Sequence, residues 1–243
     1  MRYLITFSYD GTRYHGYQKQ NNDISIQSEI ENVLTKINSN IPVIIHATGR
    51  TDAGVHALNQ KAHFDLDKDI DIERLKCSMN KLLPNDIYIK KIEVVSNDFH
   101  ARFNVKSKEY IYKINIGEYN PIDRNYIYQF NKYLDIDKMS EALQYFKGEH
   151  NFKSFTKTTD EIKDYVRTIF NASISLNDNI IVISLIGNGF LRYMVRNIVG
   201  TLIEIGLGVR KPNEIDELLN AEDRNVTGKT APSCGLYLKD IIY

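Results

Sequence analysis

The sequence has no tryptophan, two cysteines and five prolines among its 243 residues. Cys77 and Cys234 fit no metal-ligand spacing and cannot build a disulfide framework, so a reducing cytoplasm is the expected setting. No apolar run approaches the roughly 18 residues of a membrane span. Met1-Arg2-Tyr3-Leu4 runs straight into a strand-like pattern, and no signal peptide is expected. Charge of either sign is not in excess: 31 basic residues balance 31 acidic ones. A neutral sum argues mildly against a phosphate-rich partner, although a cleft needs only a local excess. There is no P-loop, no dinucleotide fingerprint and no ligand cluster, and the six histidines are scattered, so neither a metal nor an organic cofactor is expected.

What is present is a globular composition, 42% hydrophobic and 26% charged, long enough for one large domain or two small ones. Residues 2–9 alternate as a strand, with Tyr3, Ile5, Phe7 and Tyr9 on one face. Residues 25–38 carry a helical stripe of Ile26, Ile30, Val33, Leu34 and Ile37 behind a candidate N-cap, Ser25. Strands are expected at 42–47 and 58–64, a helix at 71–83 and a strand at 86–95. This β-α-β-β-α-β order is that of a ferredoxin-like unit. The second half follows a related plan. It has a strand at 108–117, a candidate strand at 125–130, a helix at 136–147 and a hairpin of 165–176 with 179–187. An apolar helix at 190–205 ends at Gly206 and Gly208, a short helix covers 212–219 and a last strand 235–242. The expected fold is α+β: two ferredoxin-like-derived halves, 1–104 and 105–243, with mostly antiparallel sheets flanked by helices.

Two loops carry more than connecting residues. Loop 10–22 interleaves Arg13 and Lys19 with Tyr14, His15 and Tyr17, a basic and aromatic mixture that suits an RNA backbone with unstacked bases. Loop 48–57 surrounds Arg50-Thr51-Asp52 with Gly49 and Gly54, which permit tight turns. Aspartate in such a turn also caps backbone N–H groups, so the loop alone leaves a capping role and a chemical role open.

Gly49-Arg50-Thr51-Asp52-Ala53-Gly54-Val55-His56-Ala57 resembles the signature of the TruA family of tRNA pseudouridine synthases. The resemblance runs the length of the chain. It includes Tyr9-Asp10-Gly11-Thr12 with Gly16-Tyr17-Gln18, Phe99-His100-Ala101-Arg102, Lys108-Glu109-Tyr110-Ile111-Tyr112, Met194 to Gly200, and Gly235-Leu236-Tyr237-Leu238. Two departures lie outside the catalytic signature: Tyr17 stands where the family usually has tryptophan, and Asn59 where it often has glycine.

The resemblance implies isomerisation of uridine to pseudouridine in the anticodon stem-loop of tRNA, at positions 38, 39 and 40, without cofactor or metal. It implies Asp52 as the catalytic carboxylate, nucleophile or base, with Arg196 as its ion-pair partner. Tyr110 stacks on the target base and is a possible proton acceptor. Arg50 fills the gap left by the flipped base, and Leu236 walls the uracil ring. Arg13 and Lys19 are candidate RNA contacts. Lys153, Lys157 and Lys163 better fit a solvated face, and Tyr112 a core position. A homodimer with tRNA lying across both subunits is implied as well. Two other readings compete. A non-catalytic RNA-binding module would also display tyrosines on a ferredoxin-like sheet, but does not need the Gly-Arg-Thr-Asp loop. A glycosidase would need a second carboxylate beside Asp52, and the sequence offers none.

Overall fold

The computed structural model describes residues 1–20, 23–157 and 163–243; Asn21 and Asn22, the end of the first loop, lie outside the described residues. The chain forms two compact α+β units, Met1–Lys106 with Tyr237–Tyr243, and Ser107–Leu236.

In the first unit, β1 (Arg2–Tyr9) is followed by α1 (Ile26–Ile37), β2 (His46–Ala47), β3 (His56–Asp65), α2 (Ile72–Leu82) and β4 (Ile87–Val95). The strands lie in the order β4-β1-β3-β2, each antiparallel to its neighbour. The alternation in β1 buries Tyr3, Ile5, Phe7 and Tyr9, and Tyr3 stacks on Phe64 at 5.6 Å. Burying an aromatic side chain of this kind stabilises by about 2–3 kcal/mol. α1 contributes Ile26, Ile30, Val33 and Leu34 to the core, and α2 Leu75 and Met79. Ser25 caps α1 in a reciprocal box with Ser28, and Asp71 caps α2 by accepting from Arg74 N–H. The strand expected at 42–47 shrinks to two residues, because Pro42 and Ile44 face outward and only His46 and Ala47 reach the β3 ladder.

In the second unit come β5 (Ser107–Asn115), β6 (Tyr128–Gln129), α3 (Ile136–Gln144), β7 (Gly148–Asn151), β8 (Val166–Asn177), β9 (Ile180–Gly187), α4 (Met194–Gly206) and α5 (Ile215–Asn220). The sheet order β5-β9-β8-β7 is antiparallel, with β6 parallel on the outer side of β5. With α3 between β5 and β8, this repeats the β1-β3-β2 arrangement of the first unit. Phe146, Phe152 and Phe155 form the aromatic part of a core closed by Leu143, Ile183, Leu185, Ile198 and Leu202. β7 had no signature in the sequence, since Gly148-Glu149-His150-Asn151 offers no apolar alternation. α4 starts four residues later than its apolar run, because Tyr193 adopts a left-handed conformation (φ 64°) and sets the helix start. The segment at 212–219 divides into a tight turn, Pro212–Glu214, and α5.

The last strand is β10 (Leu236–Ile242). Tyr237 and Leu238 pair parallel with His56 and Ala57 of β3, so residues 237–243 complete the first unit. Parallel neighbours need a long crossover, and a pairing this distant leaves no local trace in the sequence.

Candidate active site

Strand β3 begins where loop 48–57 ends, and the loop is fastened from two directions. From the strands, Tyr9 OH hydrogen-bonds Thr51 Oγ1 at 2.8 Å and Gln60 Nε2 donates to the Gly49 carbonyl at 3.0 Å. From the first loop, Tyr17 N–H donates to Thr51 O (3.1 Å) and Gly54 N–H to Tyr14 O (3.4 Å). Between these anchors, Val55 N–H closes a turn onto Asp52 O at 3.2 Å. Gly54 occupies its third position with φ 74°, a conformation side-chain-bearing residues avoid. Asp52 is half-buried and Arg50 exposed, so the turn presents the carboxylate at the surface of the unit with a guanidinium two residues away.

Gly11 and Gly16 allow the first loop to lie directly on this turn. A Cβ on Gly11 would strike the Val55 carbonyl, and one on Gly16 (φ 100°) would sit 2.9 Å from Thr51 O. His56 supports the junction. Its Nδ1 accepts from Gly11 N–H at 3.1 Å and lies 3.2 Å from Asp10 Oδ1. Its ring stacks on Tyr237 at 4.8 Å.

Arg13 and Lys19, the candidate RNA contacts of the first loop, each pair with an acidic side chain. Arg13 forms an ion pair with Asp86, supported by a 3.1 Å bond to Tyr14 OH, at the edge of a cavity lined by Asp10, Asn85 and Asp86. Asp86 also holds the guanidinium pKa above its ordinary value. Lys19 reaches Glu31 Oε2 at 3.4 Å. Each cation is engaged by an acidic side chain of its own unit. Lys157 and Lys163 are exposed, and Lys153 pairs with Glu222 at 3.1 Å.

The second unit carries Tyr110, Arg196 and Leu236. Tyr110 lies on β5, buried, its ring edge-on to Phe190 with centroids 5.1 Å apart. Leu236, also buried, opens β10. Arg196, in the first turn of α4, donates from Nε to the Ala231 carbonyl at 2.7 Å, and its guanidinium carbon stands 5.2 Å over the Tyr193 ring. Tyr112 is wholly buried and donates to Pro232 O at 2.7 Å, so it is a core residue. Burial drives its pKa well above the ordinary value, and Arg196 and Cys234 are among the charges it senses.

Several supporting residues escaped sequence reading. Segment 227–231 is laced to α4: Arg224 Nη2 donates to Asn197 Oδ1 and Thr230 Oγ1, both at 3.0 Å, and Ala231 N–H donates to Arg196 O at 3.1 Å. Arg224 stands among threonines and an asparagine with no periodicity to mark it. Burial lowers its pKa. Gln60 was legible only as a strand position, and Tyr9 as a strand position that opens one of the family-like motifs. No group of histidine, cysteine or acidic residues among the described residues is arranged to hold a metal ion.

The chain matches the model of a family described as tRNA pseudouridine synthase over residues 5–104 and 142–243. It is 44% identical over 242 residues to tRNA pseudouridine synthase A of Anoxybacillus flavithermus, covering 100% of this chain and 98% of that protein. The protein of that name from Streptococcus agalactiae is 43% identical over 245 residues (100% and 95%), and that from Streptococcus thermophilus 44% over 246 (100% and 99%).

Proposed function

The chain belongs to the tRNA pseudouridine synthase family, and we propose that it isomerises uridine in the anticodon stem-loop of tRNA, at positions 38, 39 and 40, with Asp52 as the catalytic carboxylate. The observation that carries this reading is the braced turn that presents Asp52: two strands and a second loop hold a single carboxylate in place.

The reaction breaks the ribose C1′–N1 bond, turns the uracil and joins C1′ to C5. The C5 proton is released and N1 gains one, so no electrons are exchanged with a partner. Asp52 acts at the ribose, either by attack at C1′ or by removing a ribose proton, and in both routes it must stay ionised. Burial alone would neutralise it, so a cation has to accompany it. Arg196 is assigned that role; the Ala231 carbonyl and the Tyr193 ring fix the direction of its side chain. Tyr110 stacks on the base. A phenol with an ordinary pKa near 10 is a poor base, so proton transfer from C5 is its lesser role. Leu236 walls the ring. Arg50, exposed beside Asp52, fills the place of the extruded base, whose unstacking costs a few kcal/mol. The proposed assembly is a homodimer, each tRNA lying across both subunits, and the proposed setting the cytoplasm; among the described residues no helix is long and apolar enough to cross a membrane.

The test is tritium release from unmodified tRNA carrying [5-³H]uridine, with wild type and Asp52→Ala side by side. Wild type is expected to release tritium and Asp52→Ala to stay at background. Release by both would remove Asp52 from the chemistry. Release by neither, with tRNA still bound, would leave a binding module.

A further inference from the structure

Position 9 closes the buried face of β1, where Tyr3, Ile5 and Phe7 precede it. An apolar ring suffices for packing there, as Phe7 illustrates. The hydroxyl of Tyr9 therefore needs another explanation, since a buried O–H requires a partner. Its partners are Thr51 Oγ1 at 2.8 Å and the Gln60 side chain. Gln60 is itself fully buried, donates to the Gly49 carbonyl at 3.0 Å and accepts from Lys61 N–H at 3.1 Å. Burial pushes the Tyr9 hydroxyl up to about 12, so it remains a neutral hydrogen-bonding group at every working pH.

The catalytic loop has no sheet ladder of its own between Gly49 and Val55. Its bonds to Tyr14 and Tyr17 tie it to another loop. At Gly49 and Thr51 the Gln60 and Tyr9 bonds fasten it to neighbouring strands of the sheet, where Phe7 pairs with Gln60 and Tyr9 with Ala57. One bond grips the residue directly before Asp52, and the other the residue three before it.

We propose that Tyr9 is a positioning residue for Asp52: its buried hydroxyl, bonded to Thr51 and backed by Gln60, fixes the height and direction of the turn that carries the carboxylate. The inference rests on the assignment of Asp52 as catalytic. A displacement on the order of 1 Å at a reacting group can cost about a hundredfold in rate. Tyr9 and Thr51 themselves bind no tRNA in this reading, so loss of their bond is read mainly in kcat.

The experiment compares full-length wild type, Tyr9→Phe, Thr51→Val, Thr51→Ser, the Tyr9→Phe/Thr51→Val double variant and Asp52→Ala by tritium release, well below the lowest melting temperature. Tyr9→Phe keeps the ring and removes only the oxygen. Its kcat is expected to fall by about ten- to a hundredfold, with a smaller change in the KM for tRNA, since Arg50 rides on the same turn. Thr51→Val, which removes the same bond from the other side, is expected to match it. The double variant should be no slower than the worse single, as for two ends of one bond. Thr51→Ser, which keeps the hydroxyl, should retain most of the rate. An unchanged kcat in Tyr9→Phe, or a Thr51→Ser as slow as Thr51→Val, overturns the proposal while a dead Asp52→Ala leaves the catalytic assignment standing. An active Asp52→Ala sinks both.

Discussion

His63 sits on β3 with its ring stacked on His46 at 4.9 Å and edge-on to His100 at 4.7 Å, and its Nδ1 accepts from Ala101 N–H at 3.1 Å. Burial, then the neighbouring His100, His46 and Arg2, lowers its pKa from 6.5 to about 4. A base with a depressed native pKa takes its proton more readily in the unfolded chain. Its contribution to stability is thus complete above about pH 6.5 and lost progressively as pH falls toward 4, by at most about 1.4 kcal/mol per pH unit. His100, lowered in the same direction, adds to the slope. Urea unfolding at pH 7.5, 6 and 5 is expected to show a falling midpoint, with a flatter dependence in His63→Gln; a constant midpoint would exclude the effect. Legibility at this scale depends on whether neighbours in space are neighbours in sequence. Gly49 and Gly54 advertised a special turn around Asp52. The bond from Tyr9 to Thr51 spans 42 positions, and nothing local to either residue announces it. The same holds for Arg13, whose acidic partner, Asp86, comes from a turn 73 residues on.

Helix α4 has a glycine in its middle, a placement that ordinarily costs about 1 kcal/mol relative to alanine. At Gly200 the balance reverses. A Cβ there would fall on the Lys229 carbonyl oxygen, and Gly228 packs so closely that its own Cβ would stand 2.7 Å from the Gly200 carbonyl carbon. Segment 227–231 crosses the helix backbone to backbone, secured by Gly228 N–H donating to Thr201 Oγ1 at 3.0 Å. Gly200→Ala is expected to lower stability by at least about 3 kcal/mol, or roughly 6–12 °C in melting temperature, against the small gain that helix propensity alone predicts. A melting curve decides the sign. The loss should extend to activity, because the same segment supplies the Ala231 carbonyl that holds Arg196. Elements with strong periodicity were readable: β1, α1, α2 and the β8-β9 hairpin, whose turn holds Asp178 at φ 54°. Those defined by a backbone event were not. β7 is polar throughout, and the start of α4 depends on the left-handed Tyr193 rather than on where the apolar run begins.

Over the whole chain, equal numbers of acidic and basic residues sit uneasily with an RNA substrate. The ion pairs of Arg13 and Lys19 sharpen the difficulty, since they neutralise two cations of the first loop within its own unit. The proposed homodimer answers it by letting weakly basic strips from two copies converge on one tRNA. Sedimentation at micromolar protein should then give twice the mass of the 28.1 kDa chain, and a monomer there would remove this explanation. The two related α+β plans were legible in the order of strands and helices. The compact units are Met1–Lys106 with Tyr237–Tyr243, and Ser107–Leu236, so the first is closed by a strand from the far end of the chain that no local pattern assigns to it. That return also imposes an order in time. On the ribosome, β1 to β4 emerge early, yet β3 lacks its parallel neighbour until the entire second unit, Ser107–Leu236, has been synthesised. His56, at the end of loop 48–57, waits for the Tyr237 ring it stacks against. A nascent chain stalled anywhere before residue 237 therefore lacks both the strand that pairs with the start of β3 and the ring that packs on His56, directly behind the turn that carries Asp52.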